Sequence, residues 1–205
     1  MSTSSAPQRT ASVVPGAAFP REGRVISLVT DRLAGSAAVV AGVLSLATGI
    51  VQALVPQTVS DTIDPHVRVI LAGFTISLWA LAVMYLGLAR HARSSWGAVV
   101  AAIGTTLLTV GTISSAVNGA DLEFFPAVAM AANGLWLIGG IALCVSLIRA
   151  RRVSVWVALP LPLLQLPLLF FSQLGGGTVA GLYLLALGVI LLTGRIASRA
   201  HRTAR

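Results

Sequence analysis

Charge is what this sequence has least of. Only 10% of its 205 residues are charged, whereas an ordinary soluble domain has about 25%. The few charges stand in short clusters between long neutral stretches, and 56% of the residues are hydrophobic. A soluble globule needs charge over its whole surface, and a disordered chain has low hydrophobicity. Both classes are therefore excluded, and the sequence is that of an integral membrane protein.

Lysine is absent, and the fourteen residues counted as lysine or arginine are all arginines. Arginine-rich and alanine-rich usage accompanies GC-rich coding, so we expect a bacterial plasma membrane protein. Cys144 is the sole cysteine, which excludes an intramolecular disulfide. The net charge of +8 would suggest nucleic acid as the partner of a soluble chain. In a membrane protein topology alone explains it, and we expect no nucleic-acid partner.

Long neutral runs predict the membrane spans. A spanning helix needs about 20 apolar residues, and the first four neutral runs hold one span each. The last run, residues 153–194, is interrupted near its middle by polar residues and three glycines, so it holds two. The sequence thus predicts an all-α polytopic membrane protein, a six-helix transmembrane bundle. Its spans are approximately 33–55, 68–89, 96–117, 127–148, 153–172 and 176–194.

The flanking segments complete the predicted organisation. Residues 1–32 form a cytoplasmic leader, disordered at first. Close to the membrane it becomes either a short interfacial amphipathic helix or a polar stretch of rising hydrophobicity. A cleaved signal peptide is disfavoured, since its apolar core would be only about 7–15 residues long. Residues 33–194 form the six-span transmembrane domain, and residues 195–205 form a basic cytoplasmic tail.

Arginine placement predicts the orientation of the bundle. With six spans and a cytoplasmic N-terminus, thirteen of the fourteen arginines lie on the inner side, and only Arg68 lies outside. Positive residues are retained on the cytoplasmic side of membranes. We therefore expect both termini in the cytoplasm.

Glycines recur at intervals of seven residues in three of the predicted spans. This spacing keeps small residues on one helix face and lets two backbones approach closely. It predicts tightly packed helix pairs, with a glycine-lined pore as the alternative. The glycines are Gly42 and Gly49, then Gly97, Gly104 and Gly111, and finally Gly181 and Gly188.

Signatures of catalysis or ion coupling are missing. No Asp, Glu, Arg or His lies within the core of a predicted span, although proton-coupled transporters and intramembrane proteases generally depend on such groups. HExxH, P-loop and nucleophile-elbow motifs are also absent. The sequence favours a non-enzymatic protein, and we expect no cofactor.

The fifth span contains three prolines, Pro160, Pro162 and Pro167. Because proline has no N–H, the carbonyls four residues earlier lose their usual donors. Such groups are costly in hydrocarbon unless protein or water satisfies them. We expect either a structural kink or a discontinuous helix that lines a ligand site.

Polar side chains converge in the outer half of the predicted bundle. The amides of Gln52, Asn133 and Gln165 lie at similar depth, with Tyr183 in the same zone. They predict either a shallow vestibule or interhelical hydrogen bonds that hold the bundle together. Trp79 and Trp136 lie near mid-span, where they either pack in the core or form a wall of an apolar ligand pocket.

Acidic residues collect in the predicted outer loops. Carboxylates and a histidine at loose spacing offer a weak candidate for a divalent-metal site. Solvated loop charge is the favoured interpretation, since outer loops of such proteins carry few cations. The residues are Asp61, Asp64, His66, Asp121 and Glu123.

The sequence leaves two candidate functions open. The first is a non-enzymatic membrane protein that binds or transports a small apolar or amphiphilic ligand, or that serves as a membrane subunit of a larger assembly. Its partners are the lipid bilayer, the ligand and either another protein or further copies of the chain. The alternative is an outer-leaflet lipid-modifying enzyme that uses the acidic and histidine residues of the outer loops.

Overall fold

A computed structural model describes residues 29–55, 65–120, 122–151, 153–169, 171 and 174–194. Within these ranges the chain is helical and forms no strand. The helices are α1 (Asp31–Leu54), α2 (Pro65–Leu88), α3 (Trp96–Asn118), α4 (Phe125–Ala150), α5 (Val155–Ala158), α6 (Pro160–Leu163), α7 (Gln165–Leu169) and α8 (Gly176–Leu192).

The first four helices are long and apolar enough to cross a membrane. The shortest of them, α3, has 23 residues and a length of about 35 Å, compared with a hydrocarbon core of about 30 Å. Residues 155–168 and α8 form shorter apolar helices. The prediction of an all-α membrane bundle is confirmed, whereas the count of six spans stays a prediction.

Local sequence signals explain several helix boundaries. The Thr30 hydroxyl accepts a hydrogen bond from the Leu33 N–H at 3.2 Å and caps α1, as threonine commonly does before a first helical turn. Gly119 ends α3 in the left-handed region with φ of 73°, a conformation that costs glycine little. Pro126 lies in the first turn of α4, where its missing N–H is not needed.

The helices are arranged as a ring. Along the chain, α1 packs against α2, α2 against α3, and α3 against α4. The three short helices α5–α7, which we call the proline segment (residues 155–169), continue the ring, since α6 packs against α4 and α7 against α8. The ring closes through the extensive contact between α8 and α1. The first and last helices in sequence are therefore neighbours.

Glycines lie in the two most extensive helix contacts, as their spacing predicts. A Cβ atom added to Gly42 of α1 would lie 2.9 Å from the carbonyl oxygen of Gly181 in α8. One added to Gly104 of α3 would lie 2.7 Å from the carbonyl oxygen of Ala132 in α4. No real Cβ atom sits so close to a backbone oxygen, so only glycine permits these approaches. The prediction of tightly packed pairs is confirmed.

Arginines collect at one end of the ring, which we call the arginine end. Asp31 at the start of α1 accepts a hydrogen bond from His91, which lies just after α2. The distance from His91 Nε2 to Asp31 Oδ1 is 3.0 Å. Arg90 donates to the carbonyl oxygen of Val29 at 3.1 Å. Of the arginines whose side chains the structure describes, only Arg68, in the first turn of α2, lies at the opposite end, which we call the far end. The described arginines of the arginine end are Arg32, Arg90, Arg93, Arg149 and Arg151.

Candidate functional site: a central cavity at the far end

The far end of the ring encloses a cavity of about 290 Å³. It is lined by the C-terminal halves of α1 and α3, the N-terminal halves of α2 and α4, the end of α7 and the start of α8. Every member of the ring thus contributes to its wall. The lining residues are Thr48, Gln52, Ile70, Leu71, Phe74, Leu108, Thr112, Phe125, Ala129, Asn133, Leu168 and Gly177.

Hydroxyl groups in this lining are already engaged by protein. Thr48 donates to the carbonyl oxygen of Leu44 at 2.8 Å. Thr112 shares a hydrogen bond of 2.6 Å with Thr75 on the neighbouring helix. The remaining polar side chains are the amides of Gln52 and Asn133, so hydrogen bonding to a guest falls mainly to them.

The two amides differ in their surroundings. Among the residues that the structure describes, none forms a hydrogen bond with the half-buried side chain of Gln52. Asn133 accepts a hydrogen bond from Gln165, whose Nε2 lies 2.8 Å from Asn133 Oδ1 and 3.0 Å from the Asn133 carbonyl oxygen. Gln52 is available to a guest on both its oxygen and its nitrogen, whereas Asn133 offers chiefly its nitrogen.

Gln165 lies behind the cavity wall and not in it. Its side chain is only 7% exposed, and its bonds to Asn133 tie α7 of the proline segment to α4. Of the three amides predicted to converge, the structure places Gln52 and Asn133 in the lining and Gln165 next to Asn133. The geometry thus contains an interhelical hydrogen bond beside a cavity, and the ligand-binding role of these amides stays a prediction.

The hydrogen-bond pattern of the proline segment is interrupted at Leu159 and Leu164, while both residues keep right-handed helical backbone angles. The Tyr183 hydroxyl of α8 donates a hydrogen bond of 2.6 Å to the carbonyl oxygen of Val157. A side chain from a neighbouring helix therefore satisfies a backbone group beside those that the prolines deprive of donors. Pro162 packs against α4, where its Cα lies 3.2 Å from the position of a Cβ atom added to Gly140.

A second hollow, of about 520 Å³, lies between the proline segment and α8. We call it the lateral groove. Pro160, Pro167 and Tyr183 line it together with apolar side chains, and two of those, Leu166 and Val179, are exposed on the outside of the ring. Five of the predicted site residues thus line a hollow, Gln52 and Asn133 in the cavity and the other three in the lateral groove, whereas Pro162 and Gln165 line neither.

The two mid-span tryptophans lie outside both hollows. Trp79 is 52% exposed on the outside of the ring, and its indole N–H donates to the Thr109 hydroxyl at 3.1 Å. Trp136 is buried and donates to the Tyr85 hydroxyl at 2.8 Å. A further groove of about 650 Å³ on α2 and α3 contains none of the predicted site residues. Each indole finds the partner that a buried or lipid-facing N–H requires.

The acidic loop residues contribute little to the described structure. Asp61, Asp64 and Asp121 lie outside the described residues, as does the side chain of His66. Glu123 is exposed between α3 and α4. Among the residues with described positions, no group of three or more His, Cys, Asp or Glu could hold a metal ion. The weak metal hypothesis remains an expectation from sequence.

Sequence reasoning missed several members of the cavity wall. Thr48 and Gln52 are four residues apart, as are Ala129 and Asn133, so each pair shares one helix face. That periodicity was the available signal. Leu168 and Gly177 carried no comparable signal, because their place depends on how the proline segment meets α8. The contact of Asp31 with His91 was missed too, since the two are far apart in sequence.

Fold and cavity together define a class, an all-α integral membrane protein whose helices surround a small amide-bearing cavity. Comparison with protein-family models, characterised proteins and solved structures gives no match for the chain. Its function is therefore inferred from the site itself.

Proposed function

We propose that the protein is a non-enzymatic membrane protein that binds a small amphiphile in the central cavity and holds or transports it. The observation that carries this proposal is that all members of the ring line the cavity, whose described lining is apolar apart from two threonine hydroxyls bonded within the protein and the amides of Gln52 and Asn133. Ligand sites are typically concave, mostly apolar, and equipped with a few polar groups that orient the guest.

The proposal includes a topology. We infer six spans in a bacterial plasma membrane, with the arginine end in the cytoplasm and the cavity toward the outer surface. Gathering of the described arginines at one end of the ring supports this orientation, because positive residues remain on the cytoplasmic side. Reporter fusions after residue 205 and within residues 118–126 test it. A translocated C-terminus would refute the orientation.

Cavity size and polarity limit the guest. A volume of about 290 Å³ is at the lower bound of drug-sized pockets, which span about 300–1,000 Å³. No charged side chain occurs among the described lining residues. A charged guest would therefore lose its hydration without gaining an opposite charge, at a large cost in free energy. We infer that the part of the ligand held in the cavity is small and uncharged.

Two other roles have less support from the structure. A membrane subunit of a larger assembly, or a homo-oligomer, needs no amide-bearing cavity. An outer-leaflet enzyme would need acidic and histidine side chains brought together in a sheltered site, and Glu123 is exposed between α3 and α4. We therefore favour the binding role.

Cysteine accessibility tests the cavity. In a Cys144→Ser background, cysteine at position 52 or 133 is expected to react with a membrane-impermeant thiol reagent added from outside. The control is Val110→Cys, because Val110 is 50% exposed on the outside of the ring and would face lipid, where thiolate forms poorly. Unreactive cysteines at both cavity positions would refute an outward-accessible site.

A further inference from the structure

The side-chain amide of Asn133 is held in one orientation by Gln165. The Gln165 amide lies 3.0 Å from the main-chain carbonyl oxygen of Asn133, and a carbonyl oxygen can only accept a hydrogen bond. The Gln165 atom at this contact is therefore the donor Nε2. The same Nε2 lies 2.8 Å from the Asn133 side chain, so the Asn133 atom that faces it must be the acceptor Oδ1. Asn133 Nδ2 consequently points away from Gln165.

The other orientations of the two amides are unfavourable. Turning the Asn133 amide alone would place its NH₂ group against the NH₂ group of Gln165. Any turn of the Gln165 amide would place Oε1 against the Asn133 carbonyl oxygen. Water does not readily relieve either conflict, because Gln165 is only 7% exposed and a buried polar group without a partner is costly. The main chain of α4 thus fixes Gln165, and Gln165 fixes Asn133.

This arrangement leaves a fixed donor at the cavity. Asn133 belongs to the cavity lining, and none of the described residues accepts a hydrogen bond from its Nδ2. A guest that meets Nδ2 must bring an acceptor, because a group that only donates would leave both itself and Nδ2 unpaired. Gln52 sets no such condition. Its amide has no hydrogen-bond partner among the described residues, so it is able to turn either its oxygen or its nitrogen toward a guest.

We propose that Gln165 makes the central cavity selective for uncharged guests that carry a hydrogen-bond acceptor, such as ketones and esters. Gln165 is a positioning residue, because it lies outside the cavity lining and acts through Asn133. Selectivity of this kind is strong in an apolar wall, where a polar group without a partner is not hydrated. This inference rests on the proposed binding function of the cavity and adds the chemical class of its ligand.

Protection of a cavity cysteine tests the selectivity. Full-length protein with Gln52→Cys and Cys144→Ser is placed in lipid nanodiscs and treated with a membrane-impermeant thiol reagent at increasing concentrations of a guest. The guests are acetophenone, its hydrocarbon analogue α-methylstyrene, and indole, which only donates. All three have the same number of non-hydrogen atoms. The control is Leu54→Cys in the same Cys144→Ser background, because Leu54 is 77% exposed and lies outside the cavity lining. No guest should protect it.

Protecting concentrations, referred to the amount of each guest in the bilayer, are expected to follow the hydrogen-bond match. Acetophenone should protect at about fivefold lower concentration than α-methylstyrene, the effect of one additional hydrogen bond. Indole should require about tenfold more than acetophenone, because its N–H meets the NH₂ group of Asn133. Equal protection by acetophenone and α-methylstyrene would overturn the proposal and leave the binding function standing. Absence of protection by all three guests would overturn it too, and a cysteine at position 52 that never reacts would refute the binding function as well.

Gln165→Leu separates positioning from structural support. Without Gln165 the Asn133 amide is free to turn its oxygen to the guest. The protecting concentration of indole should therefore fall about fivefold, while that of acetophenone rises about twofold at most. Comparing each guest between the two proteins cancels its partitioning into lipid. A gain in indole affinity identifies positioning, because structural damage weakens both guests alike, and equal weakening of both would overturn the positioning role.

Two further variants complete the test. Leu166→Ala is the matched control for Gln165→Leu, because Leu166 is the next residue, is 45% exposed and lies outside the cavity lining. It should alter neither guest. Asn133→Leu keeps the test decisive if the Gln165→Leu protein does not fold. It removes the fixed donor, so acetophenone should protect only as well as α-methylstyrene. A persisting advantage of acetophenone would overturn the assignment of the acceptor to Asn133.

Discussion

The glycine-packed helix pairs and the proline segment are held against their neighbouring helices in opposite ways. Between α1 and α8, and between α3 and α4, glycines bring backbones so close that an added Cβ atom would meet main-chain atoms. In residues 155–169, prolines remove backbone hydrogen bonds of the helix, and side chains of other helices, Tyr183 and Asn133, bond to this segment. The first arrangement is rigid by steric exclusion. The second depends on a few hydrogen bonds, and it borders both the cavity and the lateral groove.

The largest effect is expected from a methyl group added within a glycine-packed pair. Gly104→Ala should lower the free energy of unfolding by about 1–3 kcal/mol, because overpacking forces backbones apart. Gly134→Ala is the matched control, since an added Cβ at Gly134 meets nothing within 4 Å. Reversible unfolding in mixed micelles measures both. Equal effects at the two positions would contradict the steric account of these pairs.

A smaller effect is expected at the proline segment. Tyr183→Phe removes the donor to the Val157 carbonyl and should lower the free energy of unfolding by about 1 kcal/mol. A carbonyl left without a donor in an apolar setting also makes local opening easier. Hydrogen exchange of residues 155–169 should therefore quicken more than that of α3. Unchanged exchange there would mean that the hydroxyl does not support the proline segment.

The bridge between α7 and α4 is expected to contribute less. A double-mutant cycle of Gln165→Leu and Asn133→Leu should give a coupling energy of about 0.6 kcal/mol, the average for hydrogen bonds between membrane helices. The cycle isolates the pair from the loss of each side chain on its own. A coupling energy of zero would show that the observed hydrogen bonds do not hold the proline segment in place.

The smallest effect on stability is expected at Gln52. Gln52→Leu should change the free energy of unfolding by less than about 0.5 kcal/mol, as for other substitutions that break no interaction. Among the described residues it has no hydrogen-bond partner to lose. If Gln52→Leu were as destabilising as Tyr183→Phe, Gln52 would be a structural residue and its role as a ligand group would fail.

The sequence predicted the glycine pairs better than it predicted the site. Seven-residue spacing is a local pattern, and it marked Gly42, Gly104 and Gly181 as contact positions without knowledge of their partners. Gln52, Asn133 and Gln165 were expected to converge because their depths in the membrane agree. Depth does not specify rotation about the helix axis, so it could not reveal that Gln165 bonds to Asn133 from behind the cavity wall.

Trp79 and Trp136 illustrate the same limit. Both lie near mid-span in sequence, yet one is exposed on the outside of the ring and the other is buried against Tyr85. Hydropathy treats the two positions alike, since lipid and protein interior are both apolar. Only the packing of α2 and α4 against their neighbours distinguishes a lipid-facing indole from a core indole.

The sequence by itself determined that this protein is an all-α membrane bundle and predicted which side each loop occupies. These properties follow from the transfer free energy of each segment and from the placement of its arginines, which are sums over nearby residues. Tertiary structure alone decided that α8 packs against α1 to close the ring, and that Gln52 and Asn133 face one cavity. Such arrangements depend on contacts between distant parts of the chain, where small differences in packing select one helix order and one set of rotations.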